Sequence, residues 1–207
     1  MEKSPLPKKV IYRFSTYYRC LQRLAENKHE TVSSSTLAKA AGVNSSQLRK
    51  DIAYLGQWGT RGLGYPVVTL ISALREALRQ EKLRPVVLVG AGNLGSALLR
   101  YQGFQKEGFE VVAAFDSDIH AAASRGIKIP LYRDEELTSF ITANNVKLAI
   151  LCVPAEFAQG VTNQLVQAGI QGILNFSPAI LEIPTNVVVN QVDLASELEN
   201  LSYFIRG

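Results

Sequence analysis

Val86-Val87-Leu88-Val89-Gly90-Ala91-Gly92-Asn93-Leu94-Gly95 carries an apolar, strand-like run directly into G-x-G-x-x-G, and Ser96-Ala97-Leu98-Leu99-Arg100 continues in a helical pattern. A dinucleotide-binding turn requires this context. Gly90 lets the chain turn sharply out of the strand, Gly92 removes the Cβ that would block a pyrophosphate, and Gly95 lets helix and strand pack closely. The anion is expected on the free N–H groups of a helix beginning near Asn93, with Ala91 and Leu94 completing the turn. A second run, Val111-Val112-Ala113-Ala114-Phe115, ends in Asp116, 21 residues beyond Gly95. An acid at that distance hydrogen-bonds the adenosine ribose and disfavours the 2′-phosphate of NADP. A bare fingerprint is also compatible with a ligand-free glycine turn; the strand before, the helix after and the spaced acid favour the nucleotide.

Outward from this stretch the chain alternates. Strands are expected at Val86–Val89, Glu110–Phe115, Leu148–Val153, Gly172–Leu174 and Val187–Val189, with helices near Asn93–Gln102, Glu135–Asn144 and Ala155–Ala168. Such alternation specifies a parallel sheet covered on both faces, a Rossmann-like doubly wound α/β domain. Val153 and Pro154, closing the third strand, are assigned to the nucleotide site. Asp193–Ile205 follows with Leu194, Leu198, Leu201 and Ile205 on one face. A terminal helix this apolar needs a partner surface, and a second protomer supplies one at least as readily as its own domain.

The first 84 residues have a different character. They hold 15 Lys/Arg against 6 Asp/Glu, net +9, whereas residues 85–207 hold 7 against 12, net −5. One end of the molecule is built for a polyanion. Val10, Ile11, Phe14, Tyr17, Tyr18, Leu21 and Leu24 mark a helix of roughly four to five turns. Ser33-Ser34-Ser35 offers caps for a short helix, Thr36–Ala41, ended by Gly42; Asn44-Ser45-Ser46 caps a second, Gln47–Leu55, with Leu48, Ile52 and Leu55 apolar. Two short helices about a glycine turn read as helix-turn-helix. Gly56–Pro66, rich in glycine, is expected to form a two-stranded hairpin, the wing, and a further helix is expected from Thr69 to about Gln80.

On the recognition helix Gln47, Arg49, Lys50, Asp51 and Tyr54 are the non-core positions. Arg or Lys there can donate to guanine in a major groove, and Ser45, Ser46 and Tyr54 suit phosphate oxygens. Arg61, beside Gly62 at the wing tip, has the length and charge to enter an adjacent minor groove. The competing reading is a solvated face with Arg49 paired to Asp51.

Composition limits the alternatives. At 207 residues and 47% hydrophobic, the chain can build one large or two small cores. No apolar run reaches membrane-span length and the N-terminus lacks a signal-peptide core, so a cytoplasmic protein is expected. Cys20 and Cys152 are too few for a disulfide framework or a metal site, and buried inert thiols are expected. Catalytic groups are scarce: His29 and His120 are the only histidines, and no tyrosine is followed four residues later by a lysine. A nucleotide bound but not consumed is the reading this favours; a small NAD-dependent oxidoreductase or a CoA-binding subunit is the other.

Gln47-Leu48-Arg49-Lys50-Asp51-Ile52-Ala53-Tyr54-Leu55-Gly56, Gly59-Thr60-Arg61-Gly62-Leu63-Gly64-Tyr65, the Val89–Gly95 turn and Gly172-Ile173-Leu174-Asn175-Phe176-Ser177-Pro178 together resemble the bacterial redox-sensing repressor family Rex. The resemblance runs from about Ser4 to the end. Ile52, Ala53 and Leu55 stand where the family commonly has Leu, Ser and Phe, and Ser177 where it commonly has Ala. It implies a winged-helix DNA-binding domain over 1–84, a Rossmann NAD(H)-binding domain over 85–190, and a dimerisation helix over 191–207 swapped onto a partner. It implies also a homodimer on a palindromic double-stranded DNA operator, released by NADH while NAD⁺ competes without causing release. Tyr101 matches a tyrosine near the nicotinamide, and Arg19 and Asp193 match residues linking the swapped helix to the winged domain.

Overall fold

The computed structural model describes residues 6–59, 63–78 and 83–205. The chain divides into two compact units, Met1–Lys82 and Leu83–Gly207. The first is built on α1 (Lys8–Glu26), followed by β1 (Thr31–Val32), α2 (Ser34–Ala40), α3 (Ser45–Ala53), β2 (Tyr65–Pro66) and α4 (Val67–Ala77). Side chains three and four apart share a helix face, so Phe14, Tyr17 and Leu21 of α1 reach the same interior as Leu37, Leu48, Ile52, Leu70 and Leu74. The expected caps are present: Ser33 Oγ accepts from the Thr36 N–H at 3.0 Å, and Asn44 Oδ1 from the Gln47 N–H at 2.8 Å. Gly42, at φ +68°, takes the left-handed turn between α2 and α3 that a Cβ would strain.

The tip of the expected wing hairpin, residues 60–62, lies outside the described residues; on its two sides the backbones approach, a Cβ on Gly59 lying 2.8 Å from the Gly64 carbonyl oxygen. The strand at the end of the glycine-rich segment, Tyr65–Pro66, pairs antiparallel with Thr31–Val32. The reason is contact at Gly64, where a Cβ would lie 2.4 Å from the Val32 carbonyl oxygen; only glycine lets the backbones approach this far. The last helix starts earlier than expected, at Val67, because Pro66 supplies an extended residue before it.

The second unit runs β3 (Arg84–Val89), α5 (Asn93–Leu99), α6 (Gly103–Lys106), β4 (Phe109–Phe115), α7 (Ile119–Ala123), β5 (Leu131–Tyr132), a 3-10 turn (Asp134–Glu136), α8 (Leu137–Asn144), β6 (Leu148–Leu151), α9 (Ala155–Gln167), β7 (Gly172–Asn175), β8 (Val188–Gln191) and α10 (Leu194–Phe204). Its six strands lie in the order β5-β4-β3-β6-β7-β8, and every neighbouring pair is parallel. This is the doubly wound order in which the chain leaves β3 first to one side and then to the other. Alternate residues of β3 serve opposite faces: Val87 and Val89 join one apolar cluster, Val86 and Leu88 another. Sequence periodicity does not reveal β5, whose two residues are too short to alternate. The helix expected to reach Gln102 stops at Leu99; the chain turns through Arg100–Gln102, and the Tyr101 ring then lies where a Cβ on Gly103 would meet it at 2.2 Å. No helix among the described residues is long and apolar enough to cross a membrane.

Candidate nucleotide site and nucleic-acid interface

The order reverses between β3 and β6, and a crevice at the carboxyl ends of such strands is where doubly wound sheets take ligands. The glycine turn sits there. Gly90 has φ +91°, and a Cβ on it would lie 2.6 Å from the Cys152 carbonyl oxygen at the end of β6. A Cβ on Gly95 would be 1.9 Å from the Gly90 carbonyl oxygen, so α5 can pack this close to β3 only without a side chain. Gly92 is different: a Cβ there would meet nothing within 4 Å, which leaves its surface free for a ligand's approach. No side chain caps the first turn of α5.

Asp116 closes the other side. The residue follows β4; its Oδ2 accepts from the Ala91 N–H at 2.7 Å and its Oδ1 from the Asp118 N–H at 2.9 Å. The acid that spacing assigned to a ribose is thus held against the glycine turn itself. Val153 and Pro154 lie at the end of β6 in the same edge, with the Val153 carbonyl accepting from Ser177 Oγ at 2.6 Å. Asn93 and Leu94 are exposed in the first turn of α5.

Sequence reasoning missed Asp134. The Asp116 N–H donates to the Tyr132 carbonyl at 3.1 Å, which brings residue 134 near the same edge. Burial first, then the charges of Asp116 and Glu135, push the Asp134 carboxyl above its ordinary range, and its Oδ1 is buried without a partner among the described residues. No spacing rule signals it, because β5 is invisible to periodicity.

Tyr101 is 60% exposed and meets Phe104 edge-on at 5.2 Å between ring centres. Asp193 caps α10: its carboxylate accepts from the Ala195 and Ser196 N–H groups at 2.9 and 3.2 Å and from Ser196 Oγ at 2.9 Å. These bonds, that of the Ser196 amide foremost, hold its carboxyl below the usual range. Arg19 is exposed on α1. Burial raises both thiols, Cys152 to about 12, so neither supplies a thiolate near neutral pH.

In the first unit, Ser46, Arg49, Lys50 and Tyr54 are exposed on or just after α3, while Ser45 is half-buried. Arg49 donates to Ser34 Oγ at 3.2 Å. Two readings of the helix need correction. Asp51, expected at a non-core position, is 1% exposed and pairs with Arg13 of α1, not with Arg49. Gln47 turns toward it, its Nε2 donating to Asp51 Oδ1 at 2.9 Å. The expected tip residues Arg61 and Gly62 lie outside the described residues.

The comparisons agree with this two-part plan. A family described as "Putative DNA-binding protein N-terminus" matches residues 5–53, and one described as "CoA binding domain" matches residues 81–179. The chain is 42% identical over 206 residues to the redox-sensing transcriptional repressor Rex of Carboxydothermus hydrogenoformans, covering 100% of this chain and 99% of that protein. It is 43% identical over 198 residues to Rex of Streptomyces coelicolor, covering 96% and 77%. Among solved structures it resembles RSP, a Rex-family repressor. The complex of RSP with NAD⁺ and operator DNA matches with TM-score 0.85 and 35% identity over 97% of this chain and 93% of that one. The NADH complex matches with TM-score 0.84 and 33% identity over 97% and 94%. With near-complete coverage of a family at this identity, on the fold its motifs require, the chain belongs to the Rex family of redox-sensing transcriptional repressors.

Proposed function

We propose that this repressor reads the NADH/NAD⁺ ratio by binding either nucleotide across the β3/β6 crevice. Gly90–Gly95 take the pyrophosphate, Asp116 takes the adenosine ribose, and Val153, Pro154 and Tyr101 line the nicotinamide side. The observation that carries the reading is the Asp116 carboxylate bonded to the Ala91 N–H, which joins the ribose acid to the phosphate turn. The CoA description of the matching family reflects a shared sheet, whereas a carboxylate at this point favours an unphosphorylated ribose. RSP, the related repressor, has been solved with both NADH and NAD⁺.

Ser45, Ser46, Arg49, Lys50 and Tyr54 of the recognition helix, with Arg61 and Gly62, bind double-stranded operator DNA. Gln47 contributes from the same helix while anchored to Asp51. The protein works as a homodimer in the cytoplasm. Leu194, Leu198 and Leu201 of α10 are 60%, 68% and 60% exposed, an apolar face that the chain's own unit leaves open and that a partner's surface covers. Asp193 and Arg19 take part in the coupling. A ligand shifts the two domain arrangements only by its difference in affinity for them, and NADH and NAD⁺ differ by one charge on the ring.

The test is an operator gel-shift with a palindromic AT-rich duplex, repeated with NADH, NAD⁺ and CoA. Release by NADH alone is expected. Release by CoA, or turnover of NADH, overturns the reading.

A further inference from the structure

Asn175, the last residue of β7, and Ser177 are 0% and 1% exposed, polar side chains enclosed at the carboxyl edge of the sheet. Neither belongs to the nucleotide or operator contacts above. Their bonds form a closed ring with Gln191 and one branch to Val153. Ser177 Oγ donates to the Val153 carbonyl at 2.6 Å, and the Ser177 N–H donates to Asn175 Oδ1 at 2.9 Å. Asn175 Nδ2 donates to Gln191 Oε1 at 2.6 Å and to the Ala179 carbonyl at 3.2 Å, and Gln191 Nε2 returns to the Ser177 carbonyl at 2.9 Å. Asn175 and Gln191 can meet because they are register partners in neighbouring strands.

Each end of this cluster touches something that matters. At one end, Cys152, the residue before Val153, abuts Gly90, the first glycine of the turn. At the other, the Val192 N–H donates to the Asn175 carbonyl at 2.8 Å, and Asp193 follows at once as the cap of α10. We propose that Ser177, Asn175 and Gln191 are positioning residues that tie the rim of the nucleotide crevice to the point where α10 leaves the sheet. The proposal rests on reading that crevice as the nucleotide site. The physical reason is satisfaction: the side-chain amides of Asn175 and Gln191 are both engaged, and the Ser177 N–H to Asn175 Oδ1 bond at the centre is buried, so a shift of Val153 that moves Ser177 strains a bond water cannot readily replace. The shift passes to Gln191 and the start of α10 instead.

The test uses the full chain with two conservative truncations. Ser177→Ala removes one hydroxyl, and Gln191→Ala removes an exposed side chain. Hydrogen exchange without nucleotide reads the relay itself: Gln191→Ala should speed exchange over residues 152–157, to which its side-chain hydrogen bonds do not run, and Ser177→Ala should do so over residues 192–197, each about tenfold. Operator titration reads its use: the ratio of operator affinities without and with NADH should fall about tenfold in Gln191→Ala. Exchange unchanged at the far end in both variants overturns the relay. Transmitted exchange with an unaltered NADH ratio overturns its role in signalling. Should NADH fail to release the wild-type chain from operator, the nucleotide reading falls, and the exchange data alone decide whether the relay exists.

Discussion

Arg13 on α1 grips Asp51 on α3 with two prongs, Nε to Oδ2 and Nη2 to Oδ1, the latter at 2.8 Å, while Tyr17 donates to the same carboxylate at 2.7 Å. The recognition helix is therefore anchored from inside by a charge that its exposed residues conceal. Burial alone would raise the Asp51 carboxyl; the bonds from Arg13, Tyr17 and Gln47 outweigh it and hold the group below its usual range.

Asp51→Ala should destabilise the N-terminal unit by about 2–4 kcal/mol, since it strands a buried tyrosine hydroxyl and a half-buried guanidinium. Because the folded carboxyl is depressed, its contribution is complete above roughly pH 4 and is lost as pH falls through the depressed value. Urea denaturation across acid pH measures both. Equal acid sensitivity in wild type and Asp51→Asn would show that the pair carries no such contribution.

Gly92 and Gly95 should part company. Alanine at 95 drives a Cβ into the Gly90 carbonyl oxygen at 1.9 Å, backbone against backbone, and should cost about 1–3 kcal/mol of stability or more. Alanine at 92 meets nothing and should leave the melting temperature unchanged while weakening NADH binding about tenfold or more. Calorimetric titration and thermal melts separate the two effects; tight NADH binding by Gly92→Ala would remove the phosphate from that turn.

NADH should be much preferred to NADPH, because the 2′-phosphate would face Asp116 with Asp134 close behind. Asp116→Ser should narrow the preference by about tenfold, roughly 1.4 kcal/mol, by weakening NADH through the lost ribose bond and strengthening NADPH through the lost repulsion. Equal affinities in the wild-type protein would mean that Asp116 points elsewhere.

Lys50→Ala should weaken specific operator binding by about 1–3 kcal/mol if the lysine reads a base edge, whereas loss of a phosphate contact lowers the salt slope by about 1. A salt series on wild type and variant distinguishes these outcomes. An unchanged affinity and slope would take α3 out of the groove.

Leu194→Ser with Leu198→Ser and Leu201→Ser should yield a monomer by sedimentation and, with it, a collapse of operator affinity, since each half-site then binds without its tethered neighbour. These substitutions leave Gln191 and Asp193 in position. A triple variant that stays dimeric would place the interface elsewhere.

The nature of both halves was legible in the sequence because their signals are local. Gly90, Gly92 and Gly95 announce a turn through the steric demands of single residues, strand and helix periods surround them, and Ser33, Asn44 and Gly42 cap or turn helices within three or four residues of themselves. The sequence also marked Leu194, Leu198 and Leu201 as a face in need of cover. Contacts between distant segments carry no such period. The pairing of Tyr65–Pro66 with Thr31–Val32, the burial of Asp51 against Arg13, the nearness of Asp134 to Asp116, and the bond from Ser177 to Val153 each join residues more than ten positions apart. Tertiary structure alone decided these, because a polar side chain reads as surface until the fold encloses it and supplies its hydrogen-bond partners.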